Sequence, residues 1–164
     1  YFPEMLAWPF MQQKDYSKAM RQAKALDKRM AENGLRVYRL ATIAANDKDY
    51  VLDLDNYGLE DYWAIPREFF ANGGDCEDFA ITKYFSLRWL GYPRETLRIV
   101  VVQDTNLRVP HAVLAVARGA DVLVLDNQVR EVLKHREVVH YVPVYSINES
   151  RWWIHMPFTA APDS

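Results

Sequence analysis

The apolar residues change their period once along the chain, near Pro93, and that change decides the fold class. Before Pro93 they recur every three or four residues, as on the buried side of a helix. After it, β-branched and aromatic residues come in short runs, as in strands. Helices first and strands later make an α+β chain with an antiparallel sheet. The 164 residues suit one domain, read as 1–164 with loose tails at 1–14 and 159–164.

The spacing predicts helices over 15–33, 35–45, 65–71 and 75–90, and an acidic, turn-rich loop over 46–62. The helix at 75–90 has the clearest bounds, with Asp75 suited to its N-cap and Gly91 following its end. Its apolar residues cover more than one face, so it should be buried on several sides. Strands are expected over 97–103, 111–118, 121–128, 138–145 and 151–155.

Lys and Arg number 20 against 22 Asp and Glu, a formal charge of −2, which argues against general nucleic-acid binding. No apolar run approaches the roughly 20 residues of a membrane span, so no membrane insertion is expected. A lone cysteine excludes an intramolecular disulfide.

That cysteine stands in the most informative segment, Gly73-Gly74-Asp75-Cys76-Glu77-Asp78. Two glycines permit a sharp turn, and the helix that follows sets Cys76 in its first turn. Free N–H groups and the positive end of the helix dipole favour a thiolate there, and one N–H can bind a developing oxyanion. Three flanking carboxylates are a poor setting for an inert buried cysteine. They also raise the thiol pKa unless a cation neutralises them.

A thiolate needs a base and a group to orient it. His111 opens one predicted strand and Asp126 ends the next. A two-residue loop at 118–119 places them directly opposite; a loop at 119–120 makes them diagonal neighbours. Either even loop keeps both on one face, where the pair fixes the imidazole tautomer. His135 lies in a charged loop, and His140 and His155 are weaker alternatives.

The order Cys76, His111, Asp126 on helix, strand and strand resembles papain-like and transglutaminase-like folds. The run Asp61 to Glu68, the segment Gly73 to Ala80, and the blocks Pro110 to Leu114, Leu125 to Asn127 and Tyr145 to Glu149 resemble bacterial transglutaminase-like cysteine proteinases of the LapG type. The resemblance implies a periplasmic, calcium-dependent protease, its signal peptide removed or lying upstream. It implies cleavage of a large surface adhesin near its N-terminus, between two alanines of a Thr-Ala-Ala-Gly-like motif, and so control of biofilm release. It implies sequestration by an inner-membrane cyclic-di-GMP receptor of the LapD type. Cys76 is then the nucleophile, His111 the base and later acid, and Asp126 the orienting group. Asp75, Glu77 and Asp78 match the family's calcium carboxylates.

Calcium takes several hard oxygen ligands. Asp75, Glu77 and Asp78 cannot all point one way from a helix turn, so one of them only caps or supports. Asp53, Asp55 and Asp61 are further oxygen sources in the loop before them. Two other readings stay open at this level. One is a transglutaminase or acyltransferase with the same triad. The other is a non-catalytic, calcium-stabilised binding module.

Overall fold

A computed structural model describes Arg21 and residues 35–156. The helix expected over 15–33, apart from Arg21, lies outside the described residues, as do the tails. Four α-helices come first: α1 (Arg36–Asn46), α2 (Asp53–Tyr57), α3 (Pro66–Asn72) and α4 (Cys76–Trp89). Six strands follow: β1 (Leu97–Asp104), β2 (Val109–Arg118), β3 (Asp121–Leu125), β4 (Leu133–Lys134), β5 (Tyr141–Ile147) and β6 (Trp152–Ile154). They form one antiparallel sheet in the order β4-β3-β2-β1-β5-β6.

Helix α4 lies against the sheet, and α1 packs on it. Ala80, Ile81, Tyr84 and Leu87 of α4 meet Leu97, Ile99, Leu114, Val116, Leu123 and Leu125 of the sheet, with Val37, Tyr38 and Ala41 from α1. Every residue of α4 from Asp78 to Leu87 is buried, as its sequence pattern required. Phe69 of α3 meets Phe79 of α4 edge-on at 4.7 Å, which ties the short helix to the first turns of the long one. At the other end Glu149 accepts from the Tyr84 hydroxyl at 2.9 Å and pairs with Arg88.

Two sequence expectations give way. The stretch expected as a loop contains α2, whose Asp and Asn residues read equally well as turn formers; Gly58, at φ +68°, ends it. The strand expected over 138–145 is displaced to Tyr141–Ile147. Val138 instead closes a 3₁₀ turn onto the His135 carbonyl and packs on Val113 and Val124.

Among the buried polar residues, one lysine is the most costly to the fold. Lys83 is wholly buried on α4, with no hydrogen-bond partner for its Nζ among the described residues. Burial lowers its ammonium from 10.5 to about 7, against a smaller upward pull from the Asp126 charge. A depressed lysine destabilises the fold fully below the folded value, and the penalty is relieved as pH rises from there toward the unfolded value. Lys83→Met is therefore expected to melt about 5 °C above wild type at pH 6. The gain should shrink as pH rises past 7 and vanish near 10.5. Thermal melts at several pH values check this, and a pH-independent difference would contradict it.

Candidate active site

Cys76 is the first residue of α4 because two glycines let the chain turn immediately before it. At Gly73, φ is +73°, and an added Cβ would stand 2.5 Å from the Asp49 carbonyl oxygen. At Gly74 it would meet the Asp78 side chain at 2.4 Å. Gly73 thus admits a neighbouring strand of backbone, and Gly74 admits a carboxylate. Val51 N–H donates to the Gly74 carbonyl at 2.9 Å and Gly74 N–H to the Asp49 carbonyl at 3.3 Å, around a parallel bridge between Tyr50 and Gly74.

The β2–β3 hairpin supplies the other two residues. Ala117 pairs with Val122 and Arg118 with Asp121, so Gly119-Ala120 is the loop, with Gly119 at φ +59°. His111 and Asp126 are accordingly diagonal neighbours on one face. His111 Nε2 lies 2.8 Å from Asp126 Oδ1, with both side chains buried. The other Asp126 oxygen accepts from the Tyr141 hydroxyl at 2.6 Å, and Oδ1 also accepts from Gln128 N–H at 3.0 Å. Burial works to raise the Asp126 carboxyl, but these hydrogen bonds outweigh it and hold it below the usual carboxylate range. Asp126 therefore stays an anion. Its bond to Nε2 leaves Nδ1 as the ring nitrogen free to take a proton.

Asn46, at the end of α1, donates to the Asp126 carbonyl at 2.9 Å and the Val129 carbonyl at 3.2 Å, and so fixes the chain after β3. Helix α4, which Cys76 begins, packs on β2, the strand that carries His111. The three residues singled out in the sequence are thus carried on adjoining elements. Tyr141 and Asn46 were not singled out, because their bonds to the Asp126 segment join parts of the chain with no local signal between them.

The thiol departs from one expectation. Burial pushes it up strongly, and the Glu77 charge adds to this; Cys76 Sγ also donates to Glu77 Oε2 at 3.3 Å. The Ala112 N–H acts in the opposite sense but is the weaker influence. Without a counter-ion, then, the favourable helix terminus loses to the carboxylates around it.

Those carboxylates converge more widely than the sequence set of Asp75, Glu77 and Asp78. Asp53, Asp75 and Asp78 bring oxygens within 4.8 Å of one another, and so do Asp53, Asp61 and Glu77. Asp53 Oδ1 and Asp75 Oδ1 are buried without a hydrogen-bond partner among the described residues. Burial and neighbouring carboxylates raise the Asp75 carboxyl to about 9, burial foremost, and burial raises that of Asp78 to about 7. A set of hard oxygens, crowded and short of donors, fits a divalent cation such as calcium. Asp78 is the supporting member: Oδ1 accepts from Ala64 N–H at 2.7 Å and Oδ2 from Asp75 N–H at 3.2 Å. Asp75 occupies the N-cap position expected from the sequence.

Comparison with known proteins agrees with this geometry. A search of curated proteins gave no match. Among solved structures, LapG from Legionella pneumophila is 30% identical over 85% of this chain and 76% of its own, with a TM-score of 0.70. Its calcium-bound form matches with the same values. Its EGTA-treated form does so over 74% of its length, again with a TM-score of 0.70. The family model described as bacterial transglutaminase-like cysteine proteinase matches residues 9–160. With a nucleophile-bearing helix packed on an antiparallel sheet, this chain belongs to the bacterial transglutaminase-like cysteine proteinases, and is a cysteine protease of the LapG type.

Proposed function

We propose that the chain is a calcium-dependent cysteine endopeptidase that uses Cys76, His111 and Asp126. The observation that carries this reading is the buried 2.8 Å His111–Asp126 pair on the sheet against which the Cys76-bearing helix packs. In this reading His111 Nδ1 takes the thiol proton, Asp126 stabilises the resulting imidazolium, and Cys76 Sγ attacks the peptide carbonyl. His111 then returns its proton to the departing amine. Water hydrolyses the thioester with His111 acting as base.

Asp53, Asp61, Asp75 and Glu77 would hold the calcium, with Asp78 bracing Asp75 from behind. Bound there, calcium supplies positive charge that offsets the carboxylates raising the thiol. Glu77 has a particular part, because the oxygen that now accepts from Sγ belongs to the same carboxylate that converges with Asp53 and Asp61.

The substrate we propose is the N-terminal region of a large surface adhesin, cut between two alanines. The proposed place is the periplasm, with release of biofilm cells as the outcome and a LapD-type cyclic-di-GMP receptor as the regulator. The likeness to LapG supports this reading, and the absence of any helix long and apolar enough to cross a membrane among the described residues agrees with it. The test is incubation of the protein with a Thr-Ala-Ala-Gly-containing adhesin fragment, with calcium or with EGTA, beside Cys76→Ser. One cut between the alanines, lost with EGTA and with the variant, is expected. Calcium-independent cutting, or cutting by Cys76→Ser, would overturn the reading.

A further inference from the structure

Helix α4 covers only one face of the sheet. Ile99, Leu114 and Leu125 point toward it, and alternation along the strands sends Val100, Val113 and Val124 the other way. On that far face lies a cavity of about 660 Å³, a size usual for small-molecule sites. Val138 closes one side of it by packing on Val113 and Val124. Arg98, Ala115 and Val124 form one row across β1, β2 and β3. The single methyl of Ala115 leaves a trough between its two larger neighbours. Neither Cys76 nor His111 lines the cavity.

The polar groups gather at the opposite side. The Arg98 guanidinium stacks on the Trp153 ring at 3.7 Å. Among the described residues it makes no ion pair and no side-chain hydrogen bond. The stack therefore fixes the group in place and leaves its N–H donors to be given. Ser146, opposite Val100 in register, is wholly buried, and its Oγ lies 2.9 Å from His155 Nε2. The His155 N–H donates to the Val144 carbonyl at 2.9 Å, so that ring is held as well. Glu95, the carboxylate at this side, accepts from Arg94 at 3.2 Å rather than from Arg98.

We propose that this cavity is a second binding site, apart from the protease cleft, for an unbranched carboxylate amphiphile. The carboxylate sits on Arg98 beside the Ser146–His155 pair, and the hydrocarbon tail lies along the trough over Ala115, Val113 and Val124. Charge complementarity selects the head: a fixed, unpaired guanidinium offers a carboxylate two parallel N–H bonds. The floor selects the tail, because valine and alanine offer nothing but apolar surface, and each methylene covered adds about fourfold to affinity. Binding needs neither Cys76 nor a metal ion, so the proposal stands apart from the protease reading.

Titration calorimetry on the full chain tests this with decanoate, octanoate and decanol, each kept below the concentration at which it self-associates. Decanoate should bind about 10–100-fold more tightly than decanol, the effect of hydrogen bonds to a charged group. Octanoate, two methylenes shorter, should bind about 10-fold more weakly than decanoate. Arg98→Gln should bring decanoate down to the affinity of decanol and leave decanol as in wild type. Ala115→Leu fills the trough and should weaken both ligands alike. No binding of decanoate to wild type would overturn the proposal. Equal affinity of wild type for decanoate and decanol would do the same, since it marks an apolar surface without a head-group site. Decanoate binding untouched by a folded Ala115→Leu would place the ligand elsewhere and sink it too. The wild-type comparison of head groups and chain lengths holds even if a variant fails to fold.

Discussion

Cys76→Ala, His111→Ala and Asp126→Asn are each expected to lower cleavage by about 10³–10⁵-fold, because nucleophile, base and orienting group act as one unit. The variants should differ in what remains. Cys76→Ala removes the sulfur and leaves the buried His111–Asp126 pair intact, so its melting temperature should stay near that of wild type. Asp126→Asn keeps the shape but removes the anion that His111, Tyr141 and the Gln128 N–H all address. An amide presents one acceptor oxygen where the carboxylate presents two, so one donor loses its partner and the fold should soften by about 1–3 kcal/mol. Double variants should be no slower than the worse single variant. Steady-state rates with circular dichroism and thermal melts decide this. Substantial cleavage by His111→Ala at unchanged dichroism would remove the triad assignment.

Calcium is expected to raise the melting temperature progressively, and EGTA to abolish activity. A ligand bound only by the folded chain adds about 2.7 kcal/mol at a hundred times its dissociation constant, or about 5–10 °C for a chain of this length. Magnesium should do less, because it demands a small octahedron and loses water reluctantly. The Asp75 carboxyl is raised to about 9, chiefly by burial. A carboxyl so raised contributes stability below its unfolded value near 4, and that stability is lost as pH climbs toward 9. Asp75→Asn stays neutral throughout. It should therefore melt above wild type in EGTA at pH 8, yet lose the calcium response. Glu77→Gln should lose the response as well, and in EGTA its thiol should alkylate at lower pH than that of wild type, since the charge beside Sγ is gone. Melts and alkylation rates with calcium or EGTA check these outcomes. An Asp75→Asn protein with the full calcium shift would place the cation elsewhere.

The parts of the site legible in the sequence were those set by local rules. Cys76 at a helix start follows from two glycines and a cluster of polar residues. The shared face of His111 and Asp126 follows from the two-residue period of strands and an even loop. The α+β class follows from the change of period at Pro93. The parts that stayed hidden depend on contacts between distant residues. Nothing near Tyr141 announces that its hydroxyl meets Asp126, and nothing near Tyr50 announces Gly74. Helix α2 was missed because five residues of Asp, Asn, Leu and Tyr satisfy turn and helix rules equally well.

The backbone bridge between Tyr50 and Gly74 links two sites that look separate. Tyr50 and Asp53 lie on one short stretch of chain, clamped at Gly73 and Gly74, while Asp75 and Cys76 follow on the other side of that clamp. An ion that restrains Asp53 and Asp75 also restrains the start of α4, where Cys76 stands. Linkage then runs both ways: whatever factor calcium adds to the affinity for a substrate-like ligand at Cys76, that ligand must add to the affinity for calcium. A protease engaged with its substrate would hold its ion more tightly than an idle one. At a fixed external calcium level, enzyme in mid-turnover is thus the last to be switched off.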